Sequence, residues 1–277
     1  LDRGIVILAQ NSKDNYIDQA VALAMSVKKN DGTPVTLITN DEVSSNYQKY
    51  FDKILPIAWG DMAKDSEWKV DNRWKIFYQS PYKETIVMDS DMLVLESLDN
   101  LWNFYDNYDL FFTTNVTTYR NEKVTSNYYR KMFIDNNLPN VYSGLYYFKR
   151  CEFSHNFFAY LELIVKHFSE FQEDLCPITK QENLSIDVAM AMTIKLMDIQ
   201  DKVTNNKSLV SSFVHMKPYV QNWIKCRDSW QNNVAATLTN EFDLYIGNYR
   251  QNSIFHYTEK DFIYKNKILE KLGGSDV

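Results

Sequence analysis

Glycine is scarce in this chain, at 7 residues in 277. Neither a G-x-G-x-x-G run nor a G-x-x-x-x-G-K run occurs, which excludes the two glycine-rich loops that cradle phosphates on backbone N–H groups. Cysteine is rarer still: Cys151, Cys176 and Cys226 are odd in number and widely spaced. They form neither a disulfide framework nor a zinc-binding pattern and fit a reducing cytoplasm. There is no signal-peptide pattern and no apolar run near the roughly 18 residues of a membrane span, so a cytoplasmic location is expected. Positive charge is also short, with 30 Lys and Arg against 36 Asp and Glu, a net charge of −6 and a pI near 5.3. A protein that grips many phosphates of a duplex is basic, so nucleic acid is disfavoured as the main partner.

What the chain does contain is a soluble core composition, 45% hydrophobic and 24% charged, with aromatics at 15%. The rhythm of its first 57 residues is strand, helix, strand, helix, strand. Gly4–Gln10 reads as a buried strand, Asp14–Lys29 as an amphipathic helix, Pro34–Thr39 as a second strand and Phe51–Ile57 as a third. That alternation predicts an α/β fold with a Rossmann-like, mostly parallel sheet. Helices are predicted over Val70–Gln79, over Leu98–Tyr105 with a cap at or near Asp99, over Glu152–Phe171, over Asn183–Met197 and over Lys265–Leu272. Further strands are expected at Tyr108–Thr114, Val141–Lys149, Leu209–Met216, Asp243–Gly247 and Ser253–Tyr257. With no repeat, low-complexity segment or linker, residues 1–277 read as one domain.

The most informative stretch is Ile86-Val87-Met88-Asp89-Ser90-Asp91. A short apolar run forms a buried strand, and the chain's one Asp-x-Asp follows at its carboxyl end. Open α/β sheets bind ligands at that end. Two adjacent carboxylates repel unless a cation lies between them, and hard oxygen ligands suit Mg²⁺ or Mn²⁺. His256, at the end of a strand, is a candidate third ligand, and His215 in a similar setting competes with it. Lys260 and Arg73 are cations placed to meet phosphate. Asp187 opens a helix, where a carboxylate ordinarily complements the dipole.

Together these segments resemble the GT-A fold glycosyltransferases and, within them, glycosyltransferase family 8, from Ile5 to about Phe262. IVMDSDMLVLESLDNLW is similar to the family's metal motif, LAQNSKDNY followed by IDQAVALAMSV to its nucleotide loop and first helix, and SIFHYTEKDF to its closing strand. Three positions differ: Asn-Ser-Gly is here Tyr142-Ser143-Gly144, Asp-Gln is Asp187-Val188, and the Gly and Lys-Pro-Trp after the histidine are absent save for Lys260. The resemblance implies a metal-dependent, retaining transfer of a sugar from a nucleotide-diphosphate donor, a UDP-sugar above all. Asp89, Asp91 and His256 would hold Mn²⁺ or Mg²⁺. Ala9, Gln10, Tyr16, Arg73, Ser90 and Lys260 would face the nucleotide and diphosphate, and Asp187 with Asp91 would serve the reaction. It also implies a nucleotide-binding half of about residues 1–115 and an acceptor-side half of about 116–277. The acceptor (glycan, protein, lipid or modified nucleic acid) stays open, as does a sugar-nucleotide-binding or nucleotidyltransferase-type protein of related fold.

Overall fold

The computed structural model describes residues 2–66, 68–124, 130–205, 210–217 and 228–273. The apolar runs form strands β1 (Arg3–Leu8), β2 (Val35–Ile38), β3 (Lys53–Leu55), β4 (Glu84–Met88), β5 (Met92–Val94), β6 (Leu110–Thr113), β7 (Val116–Thr117) and β8 (Tyr142–Lys149). They continue as β9 (Phe213–His215), β10 (Ala236–Leu238), β11 (Leu244–Ile246), β12 (Tyr249–Gln251) and β13 (Ile254–His256). Six of them make the main sheet in the order β3-β2-β1-β4-β8-β6. Its first four strands are parallel, and β8 runs antiparallel between β4 and β6.

Side chains alternate across this sheet with period two. Ile5, Ile7, Ile86 and Met88 enter one core, with the helix Tyr16–Asn30; Val6, Leu8 and Val87 enter the other, with the helices Glu152–Lys166 and Ile186–Met197. A sheet covered on both faces needs nearly continuous apolar strands, which is what IVIL and TIVM supply.

Immediately after the two aspartates the chain leaves this sheet. β5 belongs to a second sheet, β5-β13-β9-β7, in which β13 pairs antiparallel with β5 and parallel with β9. The first helix fixes β5 in place. The buried Ser26 hydroxyl donates to Leu23 O (2.7 Å) and accepts from Val94 N (3.0 Å), and Asn30 Nδ2 donates to Val94 O (2.8 Å). β10, β11 and β12 form a small antiparallel sheet beside it.

Several predicted elements are shorter or broken. The helix expected over Glu152–Phe171 stops at Lys166 and restarts as Phe168–Leu175, with His167 non-helical between them. In the second piece the Gln172 amide brackets the Gln181 backbone through bonds of 2.8 and 3.1 Å, so a tertiary contact sets its direction. Val70–Gln79 contains only a 3₁₀ turn, Arg73–Lys75, and a helical turn, Ile76–Gln79. The terminal helix is two turns, Phe262–Lys265 and Ile268–Lys271, parted by Lys267 at φ +53°. Asp99 is the first residue of its helix rather than the cap; Leu98 holds that position, its N–H bonded to Asp31 Oδ1 at 2.7 Å. Leu209 and Cys226 lie outside the described residues.

Candidate functional site

Strand β4 carries Asp89 to the rim of the main sheet, where its N–H donates to Gly144 O on β8 at 2.9 Å. Gly144 approaches the site closely: a Cβ would stand 2.9 Å from Met92 Cε and 3.1 Å from Asp89 Oδ2, so a larger residue would shift the end of the Met92 side chain and press on the carboxylate. Three residues after Asp89, Met92 pairs with His256 across β5 and β13, and Asp91 O accepts from Tyr257 N at 3.2 Å. This register brings His256 Nε2 to 3.1 Å from Asp91 Oδ2. Ligand atoms of Asp89, Asp91 and His256 all lie within 4.8 Å of one another.

Cations surround the carboxylates. Arg73 Nη2 is 2.5 Å from Asp89 Oδ1, and Lys260 Nζ is 2.6 Å from Asp91 Oδ2. The same ammonium lies 4.9 Å from the centre of the Tyr16 ring, a cation–π contact. Tyr16 is half-buried at the first turn of its helix, whose Asn15 cap accepts from Asp18 N at 3.1 Å. His215 lies on the neighbouring strand and stacks on His256 with ring centres 4.6 Å apart. Burial, with the charges of His256 and Lys217 beside it, holds His215 well below the usual histidine range, so it is neutral at neutral pH. Among the described residues, the acidic grouping takes in His256 and not His215.

Burial alone would raise the Asp91 carboxyl, but His256 and Lys260 outweigh it and hold the group well below the usual carboxylate range. Burial would lower the Lys260 ammonium, and Asp91 and Tyr16 reverse that to raise it. A depressed carboxyl stabilises fully above its unfolded value, about 3.9, and the gain is lost as pH falls through the lower folded value. A raised ammonium stabilises fully below its unfolded value, about 10.4, and loses the gain as pH rises through the folded one. The urea-midpoint difference between the parent and Asp91→Asn should therefore stay level from about pH 5 to 9 and shrink below about pH 4. A difference that persists undiminished to about pH 2 would mean that Asp91 is not held ionised by these partners.

Asp187 reaches the same cleft from the start of the helix Ile186–Met197 and is gripped on both oxygens. Ser143 N and Oγ donate to Oδ1 at 2.9 and 2.5 Å, and Arg130 Nη1 donates to Oδ2 at 2.7 Å. Burial would raise this carboxyl, and Arg130 with Ser143 lowers it instead. Arg130 belongs to no motif, and sequence reasoning missed it. Its guanidinium also bonds Asn140 Oδ1 at 2.6 Å and Val141 O, and it lies over the rings of Phe133 and Tyr142 at 3.8 and 4.0 Å.

Four candidates do not line the cleft, one of them Tyr16, which meets it only through Lys260. Gln10 is buried in a polar network, its Nε2 donating to Asp61 at 2.8 Å and its Oε1 accepting from Asn72 at 2.9 Å. Ala9 is buried, its N–H donating to Ile38 O at 3.1 Å. Ser90 is buried between the two aspartates and does not line the cleft. The cleft itself is about 370 Å³ and is walled by Arg73, Asp89, Asp91, Ser143, Gly144, Asp187, His256 and Lys260. A larger cavity, about 790 Å³, opens between the first helix and the loop after β2, and none of those residues borders it.

Two features of the cleft suit a divalent cation and a diphosphate. The donor set is two carboxylates and an imidazole, hard to intermediate ligands. Arg73 Nε and Nη1 are buried and have no hydrogen-bond partner among the described residues, so two donors stand ready for anionic oxygens.

No family model matches the chain, and no curated protein matches it by sequence. The structure is similar to that of mouse xyloside xylosyltransferase 1 in its apo form, at TM-score 0.55 and 9% identity over 94% of this chain and 98% of that one. It is similar also to the galactosyltransferase LgtC in complex with donor and acceptor sugar analogues, at TM-score 0.52 and 14% identity over 99% and 96%. It spans 45% of the length of the glycosyltransferase GlyE of Streptococcus pneumoniae TIGR4, with 74% of this chain aligned at 12% identity and TM-score 0.44. The likeness over nearly the whole length of two of these proteins, with the mostly parallel central sheet, gives the chain the GT-A glycosyltransferase fold.

Proposed function

We propose that the protein is a metal-dependent, retaining glycosyltransferase that moves a sugar from a nucleotide-diphosphate donor, with a UDP-sugar as the expected donor. The observation that carries this reading is the convergence of Asp89, Asp91 and His256 within 4.8 Å, with Arg73 and Lys260 against the carboxylates. Retention is taken from the resemblance to family 8.

In this reading Asp89, Asp91 and His256 hold Mn²⁺ or Mg²⁺, which supplies positive charge against the departing diphosphate. Arg73 offers its two unpartnered N–H groups to the diphosphate oxygens, and Lys260 adds a point charge beside them. Tyr16 presents its ring to the base. During transfer the bond from the anomeric carbon to the diphosphate breaks and a bond from that carbon to the acceptor oxygen forms. The hydroxyl proton leaves with the diphosphate. Positive charge develops at the anomeric carbon. Asp187, fixed and kept ionised by Arg130 and Ser143, is a negative charge on the sugar side of the cleft, placed to stabilise that carbon electrostatically.

The test is a donor screen. Purified protein with Mn²⁺ is offered UDP-, GDP- and CMP-sugars, and free nucleotide is followed against Asp91→Asn. One donor should be turned over, with a loss in the variant of about a thousandfold, the size of a removed transition-state charge contact. Binding of a sugar nucleotide without release would make the protein a binder. Silence toward every donor, with no Mn²⁺-dependent nucleotide binding, would overturn the reading.

A further inference from the structure

We infer that the acceptor is a neutral sugar whose ring stacks on Trp68, in a groove that opens directly off the cleft. This rests on the transferase reading above and gives the acceptor class for that site.

Two cavities share a wall. Trp68 and Val70 line both the cleft that holds the carboxylates and a second cavity of about 360 Å³. The opposite side makes the same passage along the chain: Glu182, Asn183 and Leu184 line the groove, and the next three residues, Ser185 to Asp187, line the cleft. A ring lying in the groove therefore ends beside Asp187, on the sugar side of the donor.

The groove's chemistry is that of a carbohydrate site. The Trp68 indole is 57% exposed, and it meets no other ring and makes no hydrogen bond among the described residues. Beside it Lys69, at φ +53°, donates through Nζ to Ala63 O at 2.8 Å and Lys64 O at 2.6 Å. A large apolar ring left open to water beside a reaction cleft suits the C–H face of a sugar.

Around it stand Asp65, Asp71, Glu182 and Asn183, and none of the four makes a hydrogen bond or ion pair among the described residues. Carboxylates accept from hydroxyl groups in charge-assisted bonds, and a sugar offers several hydroxyls at once. Among the described residues no Lys or Arg lines the groove, so a nucleic acid backbone or a phosphate-linked lipid would meet three carboxylates there.

Saturation-transfer NMR on the whole protein tests this without any donor. The probes are neutral methyl glycosides and disaccharides, a sugar phosphate and a short oligonucleotide. The proteins are the parent, Trp68→Ala and, as control, Trp59→Ala, which removes another exposed indole (66%) that stacks on Trp74. At least one neutral saccharide should give signal with the parent and with Trp59→Ala, and lose about tenfold or more of its affinity in Trp68→Ala. A thermal midpoint within reach of the parent's shows that Trp68→Ala is folded. With the donor found in the screen above, Trp68→Ala should raise the acceptor KM by a similar factor. The inference is overturned if no neutral saccharide binds, if binding ignores Trp68, or if the oligonucleotide or sugar phosphate binds instead. A saccharide that binds at Trp68 while every donor stays intact would sink the transferase reading and keep the groove.

Discussion

Arg130→Ala is expected to lower the stability of the fold by about 3 kcal/mol, read as a fall in the urea midpoint at unchanged slope. Only 4% of this side chain is exposed, and it ties its own turn to two other stretches of chain: Asn140-Val141 and, through an ion pair, Asp187. Its removal strips the counter-charge from a carboxylate that is only 21% exposed and leaves two rings without the plane between them. The larger part of the loss should come from Asp187 being left charged and unpaired. Arg130→Ala combined with Asp187→Asn should therefore be more stable than Arg130→Ala alone, which a double-mutant cycle reads directly. If Arg130→Ala costs under about 0.5 kcal/mol, the ordinary range for surface positions, the guanidinium is not the strut described above.

Arg73→Ala addresses the donor side instead, where the expected loss is in rate. The arginine is 13% exposed and pairs with Asp89, itself 20% exposed, so truncation also costs stability and the variant's urea midpoint is read beside its rate; two of the arginine's nitrogens lack partners among the described residues. On the proposed function those nitrogens meet the diphosphate as negative charge builds on it. Donor turnover should fall by about 10²–10³, chiefly in kcat. Arg73→Lys should recover only a small part, because an ammonium cannot present the planar fork. Full turnover in Arg73→Ala would remove Arg73 from the reaction and leave it as the partner of Asp89.

The sequence announced some of this and concealed the rest. Asp89 and Asp91 were readable because a strand and its terminal carboxylates are adjacent in the chain, so local pattern sufficed. His256 and Lys260 were readable mainly through resemblance, since nothing local says that β13 pairs with β5. Arg130 carried no signal: a lone arginine gains its meaning from Asp187, 57 residues away. Gln10 sat in the expected nucleotide loop, yet its amide is engaged by Asp61 and Asn72, contacts that only folding creates. The short strands β5, β7, β10 and β12 span two or three residues each, too few for alternation to show. The break at His167 interrupts an apolar stripe that itself runs on unbroken through Ile164, Val165 and Phe168.

The pairing of β5 with β13 has a consequence for the order in which this protein becomes competent. The two carboxylates emerge in the first third of the chain, while His256 and Lys260 arrive 165 and 169 residues after Asp91. Parallel pairing of β1, β2, β3 and β4 can proceed from the early segments alone. Closing the site requires contacts between residues more than 160 apart in the chain, and such contacts form slowly because the intervening chain must first be ordered. A growing polypeptide would thus hold an organised sheet with Asp89 met by Arg73 but Asp91 without His256 and Lys260 until some 165 further residues have been made. The cluster matures only when β13 threads between β5 and β9, so on the proposed function donor binding is a late event in folding and a sensitive report that β13 has docked.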